Sequence, residues 1–156
     1  MNKIPMTSMG YEKLQNELKK LINLDRPNII AAIAEARGHG DLSENAEYQY
    51  AKEQQSLIEG KISELETLIA QAEVIDISQL SGNEIKFGAK VKIQDDETGE
   101  ESDYQIVGEY ESDIKKKKLS INSPLARGLI GKIKDDIVEI NSPKGTKTYT
   151  VLSVKF

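Results

Sequence analysis

The chain has 156 residues, of which 26 are acidic and 21 basic, for a formal net charge of −5; this disfavours coating nucleic acid through bulk positive charge but leaves room for one local contact. It has no cysteine, which excludes disulfides, thiolate metal sites and cysteine nucleophiles, and its single His39 makes histidine-built metal sites and serine-type triads poor candidates. The longest apolar run, 29–34, is far short of a membrane span, and Met1-Asn2-Lys3-Ile4-Pro5 lacks the apolar core of a signal peptide, so a soluble, cytoplasmic protein is expected.

The two halves follow different periods. No glycine stands between Tyr11 and Arg37, and the stretch is rich in helix-forming Leu, Ile, Ala, Glu and Lys. A helix can start after Thr7 or Ser8, either of which can cap it. Tyr11, Leu14, Leu18 and Leu21 then trace one helical face. Pro27 removes a helical hydrogen bond and crowds the preceding turn, which predicts a kink or short break near Asp25-Arg26-Pro27. The apolar row resumes, shifted, at Ile29, Ile33 and Ala36, and Gly38-His39-Gly40 ends the helix, glycine being tolerant of the left-handed conformation past a helix end.

A second helix is expected at once. Glu44, Tyr48, Ala51, Gln55, Ile58, Ile62, Leu65, Ile69 and Ala72 recur in alternating steps of four and three, the heptad spacing of a coiled coil. The short connection makes the preceding helix its partner in an antiparallel hairpin. A helix of about 28 residues extends about 42 Å. Its seam is apolar from Ile58 on and becomes small or polar towards the other end, a packed base and a thin polar tip.

Asp76 to Asn83 is polar and ends in Ser-Gly-Asn, a linker. The rest reads as antiparallel β, with strands at 85–94, 104–110, 118–122, 137–141 and 147–154. Turn chemistry stands at Asp96-Glu97-Thr98-Gly99 and Ser142-Pro143-Lys144-Gly145. Ser123-Pro124-Leu125-Ala126-Arg127-Gly128 reads as a short helix capped by Ser123 with Pro124 in first position. The expectation is an α+β chain of two domains: a helical hairpin over 1–75, a linker over 76–83 and a small β domain over 84–156.

Chemistry concentrates at the tip. Asp41 followed three residues later by Glu44 has the spacing of a capping box, both charges lying near a positive helix end. The same two carboxylates on one turn, at the end of a thin arm, can share a divalent cation such as Mg²⁺, weakly alone and better if another macromolecule half-builds the site. Spacing leaves both readings open. Arg37 and Lys52 flank the tip, either as solvated surface or as contacts to phosphate. Lys115 to Lys118 reads as a solvated turn.

Three separated segments, IIAAIAEAR at 29–37, HGDLSENAEY at 39–48 and NSPLARGLIGK at 122–132, resemble the bacterial transcript-cleavage factors of the Gre family, GreA branch. The likeness spans both domains in order and implies an FKBP-like fold for the β domain. It implies a factor that binds RNA polymerase, inserts its hairpin through the secondary channel of a backtracked complex and helps the enzyme cleave its own RNA. By motif position, Asp41 would help hold a Mg²⁺ shared with the polymerase, and Glu44 would position or activate the attacking water. Arg37 and Lys52 would contact the RNA 3′ end; with few basic residues near its tip the hairpin resembles the GreA rather than the GreB branch, and that resemblance implies short di- and trinucleotide products. Ser123, Pro124, Leu125, Ala126, Arg127 and Gly128 would dock on the β′ rim of the channel, Arg127 foremost. The resemblance implies an accessory factor, expected as a monomer, without a stably bound cofactor or an activity on membranes.

Three rivals follow from the same residues. A Gre-like inhibitor would enter the channel without cutting, although both tip carboxylates are retained. A peptidyl-prolyl isomerase is suggested by the FKBP-like domain, but no aromatic proline pocket is evident and fold alone does not carry function. A plain coiled-coil adaptor would not account for carboxylates at the tip.

Overall fold

The computed structural model describes residues 3–38 and 45–156. The chain divides into two compact units, one of residues 11–72 and the other of residues 3–10 with 73–156.

Helix α1 (Ser8–Lys20) starts as expected after Thr7, whose Oγ1 accepts the Gly10 N–H at 3.0 Å. Tyr11, Leu14, Leu18 and Leu21 form its half-buried stripe. The interruption expected near Asp25-Arg26-Pro27 is a change of helix type just before Pro27, not a gap in the helical path. Leu21–Asp25 form one π-helical segment, closed by the Arg26 N–H donating to the Leu21 carbonyl, and α2 (Arg26–Arg37) continues from it with Pro27 in its first turn. A wide turn absorbs the proline ring and its missing donor where a standard turn would clash. The stripe resumes at half-buried Ile29 and Ile33 and buried Ala36.

Helix α3 (Ala46–Gln71) is 26 residues long, about 39 Å. Its inward face is the heptad seam: Tyr48, Gln55 and Ile58 are half-buried, while Ala51, Ile62 and Leu65 are buried. At the base the stripe widens, with Leu68 buried beside half-buried Ile69. Helix α2 packs along α3. The pairing runs antiparallel, because Ala36 is bonded to Asn45 while Arg26 is bonded to Glu59. The Arg26 guanidinium meets the Glu59 carboxylate through two bonds, of 2.8 and 2.9 Å. Glu59 raises the Arg26 pKa by accepting from it. Both side chains are exposed, so the pair orients the helices more than it stabilises them.

The second unit is built on a five-stranded sheet. Its strands are β3 (Lys90–Asp95), β4 (Glu101–Val107), β5 (Lys118–Ser120), β6 (Ile137–Ser142) and β7 (Gly145–Lys155), in the order β5-β4-β3-β7-β6. Neighbours are antiparallel except β4 and β5, which pair in parallel. This corrects the all-antiparallel expectation: short 3₁₀ turns at 109–111 and 114–116 carry the chain back before β5 begins. The strand expected from Ile85 starts only at Lys90. Residues 85–89 fold as an irregular turn through Gly88, at φ +88°, where any side chain would also collide with Ile77.

Strand alternation sends Val91 and Ile93 inward and Lys90 outward. With Ile85, Ile106, Leu119, Val138 and Val151 they form one core, which α4 (Pro124–Leu129) closes with Ala126 and Leu129. Two short strands lie outside every expectation: β1 (Ile4–Thr7) pairs with β2 (Ala72–Ile75). Glu111 fastens β1 to this unit, its carboxylate accepting from the Thr7 N–H at 3.0 Å, the Thr7 hydroxyl and the Gly108 N–H at 3.0 Å. The expected linker over 76–83 contains a 3₁₀ turn at Ile77–Gln79. Asp76 caps it and is held below the usual carboxylate range by its bond from the Ser78 hydroxyl. Among the described residues, no helix is long and apolar enough to cross a membrane.

Candidate functional site

The end of the hairpin is organised by one side chain. Asn45 caps α3 by accepting the Tyr48 N–H on Oδ1 at 3.0 Å, and its Nδ2 donates to the Ala36 carbonyl of α2 at 2.7 Å. One amide therefore satisfies an orphan donor at the start of one helix and an orphan carbonyl at the end of the other. An Asp carboxylate could accept but not donate here, and a Ser hydroxyl, though it can do both, is shorter; the Asn amide carries its donor and its acceptor on separate atoms at the end of a longer side chain. The cap of the described helix is thus Asn45; the Asp41–Glu44 pair, whose spacing suits a capping box, lies outside the described residues. The sequence signal is an Asn directly before Ala46, where the helix begins.

Asp41 and Glu44, with His39, lie outside the described residues. Gly38 closes α2 in right-handed geometry, at φ −64°, and donates to the Glu35 carbonyl at 3.0 Å. The helix ends, as expected, directly before Gly38-His39-Gly40; Gly38 itself is not left-handed, and Gly40 lies outside the described residues. Arg37 and Lys52 each follow a buried alanine, Ala36 and Ala51, and are themselves exposed. Lys52 donates from Nζ to Gln55 Oε1 at 3.2 Å. Two cations at the end of a closed hairpin suit an anionic chain such as phosphate. Among the described residues, no cluster of three carboxylates or histidines could hold a metal ion.

The segment expected to dock on a partner splits into buried and exposed members. Ser123 caps α4 by accepting the Ala126 N–H at 3.2 Å, and its hydroxyl donates to the Ser120 carbonyl at 2.7 Å. Ala126 is fully buried, and Leu125 packs against the core. A β-carbon at Gly128 would stand 2.6 Å from Ile140 Cδ1 and 2.9 Å from Val138 Cγ1, so glycine lets the helix lie close on β6. Pro124 and Arg127 are the exposed members. Ile130, which directly follows the helix, is also exposed at 38% and was not singled out by sequence reasoning. Four of the six residues thus shape the helix and seat it, while Pro124 and Arg127 supply its free surface.

Family models match both parts of the chain: transcription elongation factor, N-terminal, over 4–74, and transcription elongation factor, GreA/GreB, C-terminal, over 80–156. The transcription elongation factor GreA of Chelativorans sp. (strain BNC1) is 59% identical over 156 residues, covering 100% of this chain and 99% of that one. The protein of the same name from Phenylobacterium zucineum is 55% identical over the same share of each chain. Among solved structures, GreA factor homolog 1 of Thermus thermophilus is 24% identical, with a TM-score of 0.46 over 99% of this chain and 100% of that one.

Proposed function

This chain belongs to the GreA/GreB family of transcription elongation factors along its whole length, and from that premise we propose that it stimulates RNA polymerase to cleave backtracked nascent RNA. The observation that carries the reading is the closed end of the hairpin. Asn45 holds the ends of two helices together, and the segment that joins those ends in sequence carries Asp41 and Glu44. A rod about 39 Å long and two helices wide suits a site reached through a narrow channel.

In this mechanism the hairpin enters the polymerase secondary channel. Asp41 offers a hard oxygen donor to a Mg²⁺ shared with the polymerase, and Glu44 orients and deprotonates the attacking water. The shared ion supplies a lowered water pKa and neutralises charge in the transition state. Two carboxylates fit that ion as partial ligands, since Mg²⁺ accepts few protein oxygens and completes its shell elsewhere. Arg37 and Lys52 hold the extruded RNA by its phosphates, without reading sequence. Pro124 and Arg127 meet the channel rim, where an arginine fork suits carboxylates. The chain acts in trans, as an accessory factor.

The test is a halted, backtracked polymerase with end-labelled RNA. Adding the protein should shorten the RNA from its 3′ end in a Mg²⁺-dependent way, while the protein alone leaves free RNA intact. Asp41→Asn and Glu44→Gln should abolish cleavage and keep polymerase binding. RNA left uncut by the wild-type protein at every Mg²⁺ concentration, with binding intact, would overturn the cleavage reading in favour of an inhibitor.

A further inference from the structure

A cleft of about 420 Å³ opens on the second unit, lined by Lys90 and Lys92 of β3, Asp103 of β4, Lys116 and Lys117 of the turn before β5, and Lys155 of β7. Five lysines and one carboxylate line it, Lys92 standing opposite Asp103 across β3 and β4, a local excess of four positive charges in a chain whose net charge is −5. None of the five ammonium groups is in an ion pair or hydrogen bond among the described residues.

Two features of the backbone make this cluster costly to keep. Lys90 and Lys155 stand directly opposite each other across β3 and β7, a like-charge pair that destabilises a sheet. Lys117, which ends the 114–116 turn, adopts the left-handed conformation, with φ 60° and ψ 33°, which residues other than glycine, asparagine and aspartate rarely take. Strained residues of this kind collect where a ligand is held. Repulsion and strain thus converge on one concavity, and an anion seated in it would relieve the repulsion.

We propose that this cleft binds a compact polyphosphate: a free inorganic chain or the phosphate chain of a nucleotide. Its volume lies in the range of small-ligand sites, which favours a compact anion over an extended strand. Four net charges match a chain of several phosphates better than a single orthophosphate. Lysines serve as point-charge phosphate binders. The site is independent of the acidic tip, and its occupancy can be read without polymerase.

Calorimetric titration of the full chain with inorganic tripolyphosphate should show saturable binding at one site, at least tenfold tighter than orthophosphate. ATP binding more tightly than tripolyphosphate identifies a nucleotide as the source; equal affinity identifies the phosphate chain alone. Lys90→Gln and Lys117→Gln should each weaken binding at least fivefold with an unchanged circular dichroism spectrum, and Lys134→Gln, an exposed lysine outside the cleft, should leave it unchanged. Absence of saturable binding at millimolar tripolyphosphate overturns the proposal, as does equal binding of orthophosphate or indifference to the cleft variants. A single-stranded RNA oligonucleotide that outcompetes both ligands at these same lysines overturns the compact-ligand reading in favour of a strand.

Discussion

Replacing Asn45 separates the two bonds that close the hairpin. Asn45→Ala removes the cap on the Tyr48 N–H and the donor to the Ala36 carbonyl. Loss of a helix N-cap costs about 1 kcal/mol. The second bond, 2.7 Å long and made to a carbonyl of a residue only 3% exposed, contributes about 1 kcal/mol more. Asn45→Ser keeps a capping oxygen but is too short to bridge to α2, so it should lose only the second contribution. For a chain of this size, each kcal/mol moves the melting temperature by about 2–4 °C. Thermal melts followed by helical circular dichroism should therefore place Asn45→Ala about 4–8 °C below wild type, with Asn45→Ser near the midpoint between them. If Ser melts with wild type, the bond between the helices contributes nothing; if Ser and Ala melt together, the cap contributes nothing. If neither differs from wild type, Asn45 does not organise this end of the hairpin.

Glu111→Gln should loosen the N-terminal strand, because a neutral amide cannot accept from the Thr7 N–H, the Thr7 hydroxyl and the Gly108 N–H at once. Bonds to a charged acceptor contribute about 1.5–3 kcal/mol, so amide hydrogen exchange at Thr7 and Gly108 should accelerate at least tenfold; unchanged protection would remove the carboxylate from that role. Arg127→Ala, at an exposed position of α4, should weaken polymerase affinity about tenfold in a competition assay and leave the melting temperature unchanged, as expected of an interface arginine; equal affinity would exclude it from the interface. Asp76 has its folded pKa lowered by the Ser78 hydroxyl, so its contribution to stability is present above the unfolded value near 3.9 and is lost as pH falls through the lower folded value. An NMR titration of its carboxyl should give a midpoint below that of an Asp in an unstructured peptide, and Ser78→Ala should bring the midpoint back up.

Periodicity made the hairpin legible. The seam from Tyr48 to Leu65 is a repeat within one helix, so residue spacing alone names its buried face, and α4 announced itself through Ser123 and Pro124 at its start. The β half was legible as strands and turns, but its limits were not: Ile85 and Phe87 are as apolar as strand residues, yet the positive φ of Gly88 turns the chain there. The tip motif showed its carboxylates, while Asn45 was overlooked because its value lies in a bond to the Ala36 carbonyl on the other helix.

What residues 3–156 say locally, through spacing, caps and breakers, determined that there are two helices in a hairpin, a β half after them and a charged connection between the helices. Pairing over distance was left to the tertiary structure. Ile4–Thr7 become a strand because β2 and Glu111, 104 residues from Thr7, hold them; β5 lies parallel to β4 because two short turns return the chain; and Lys90 meets Lys155 only through strand register. Local patterns constrain neighbours a few residues apart, whereas register and strand order follow from which distant surfaces can be buried together.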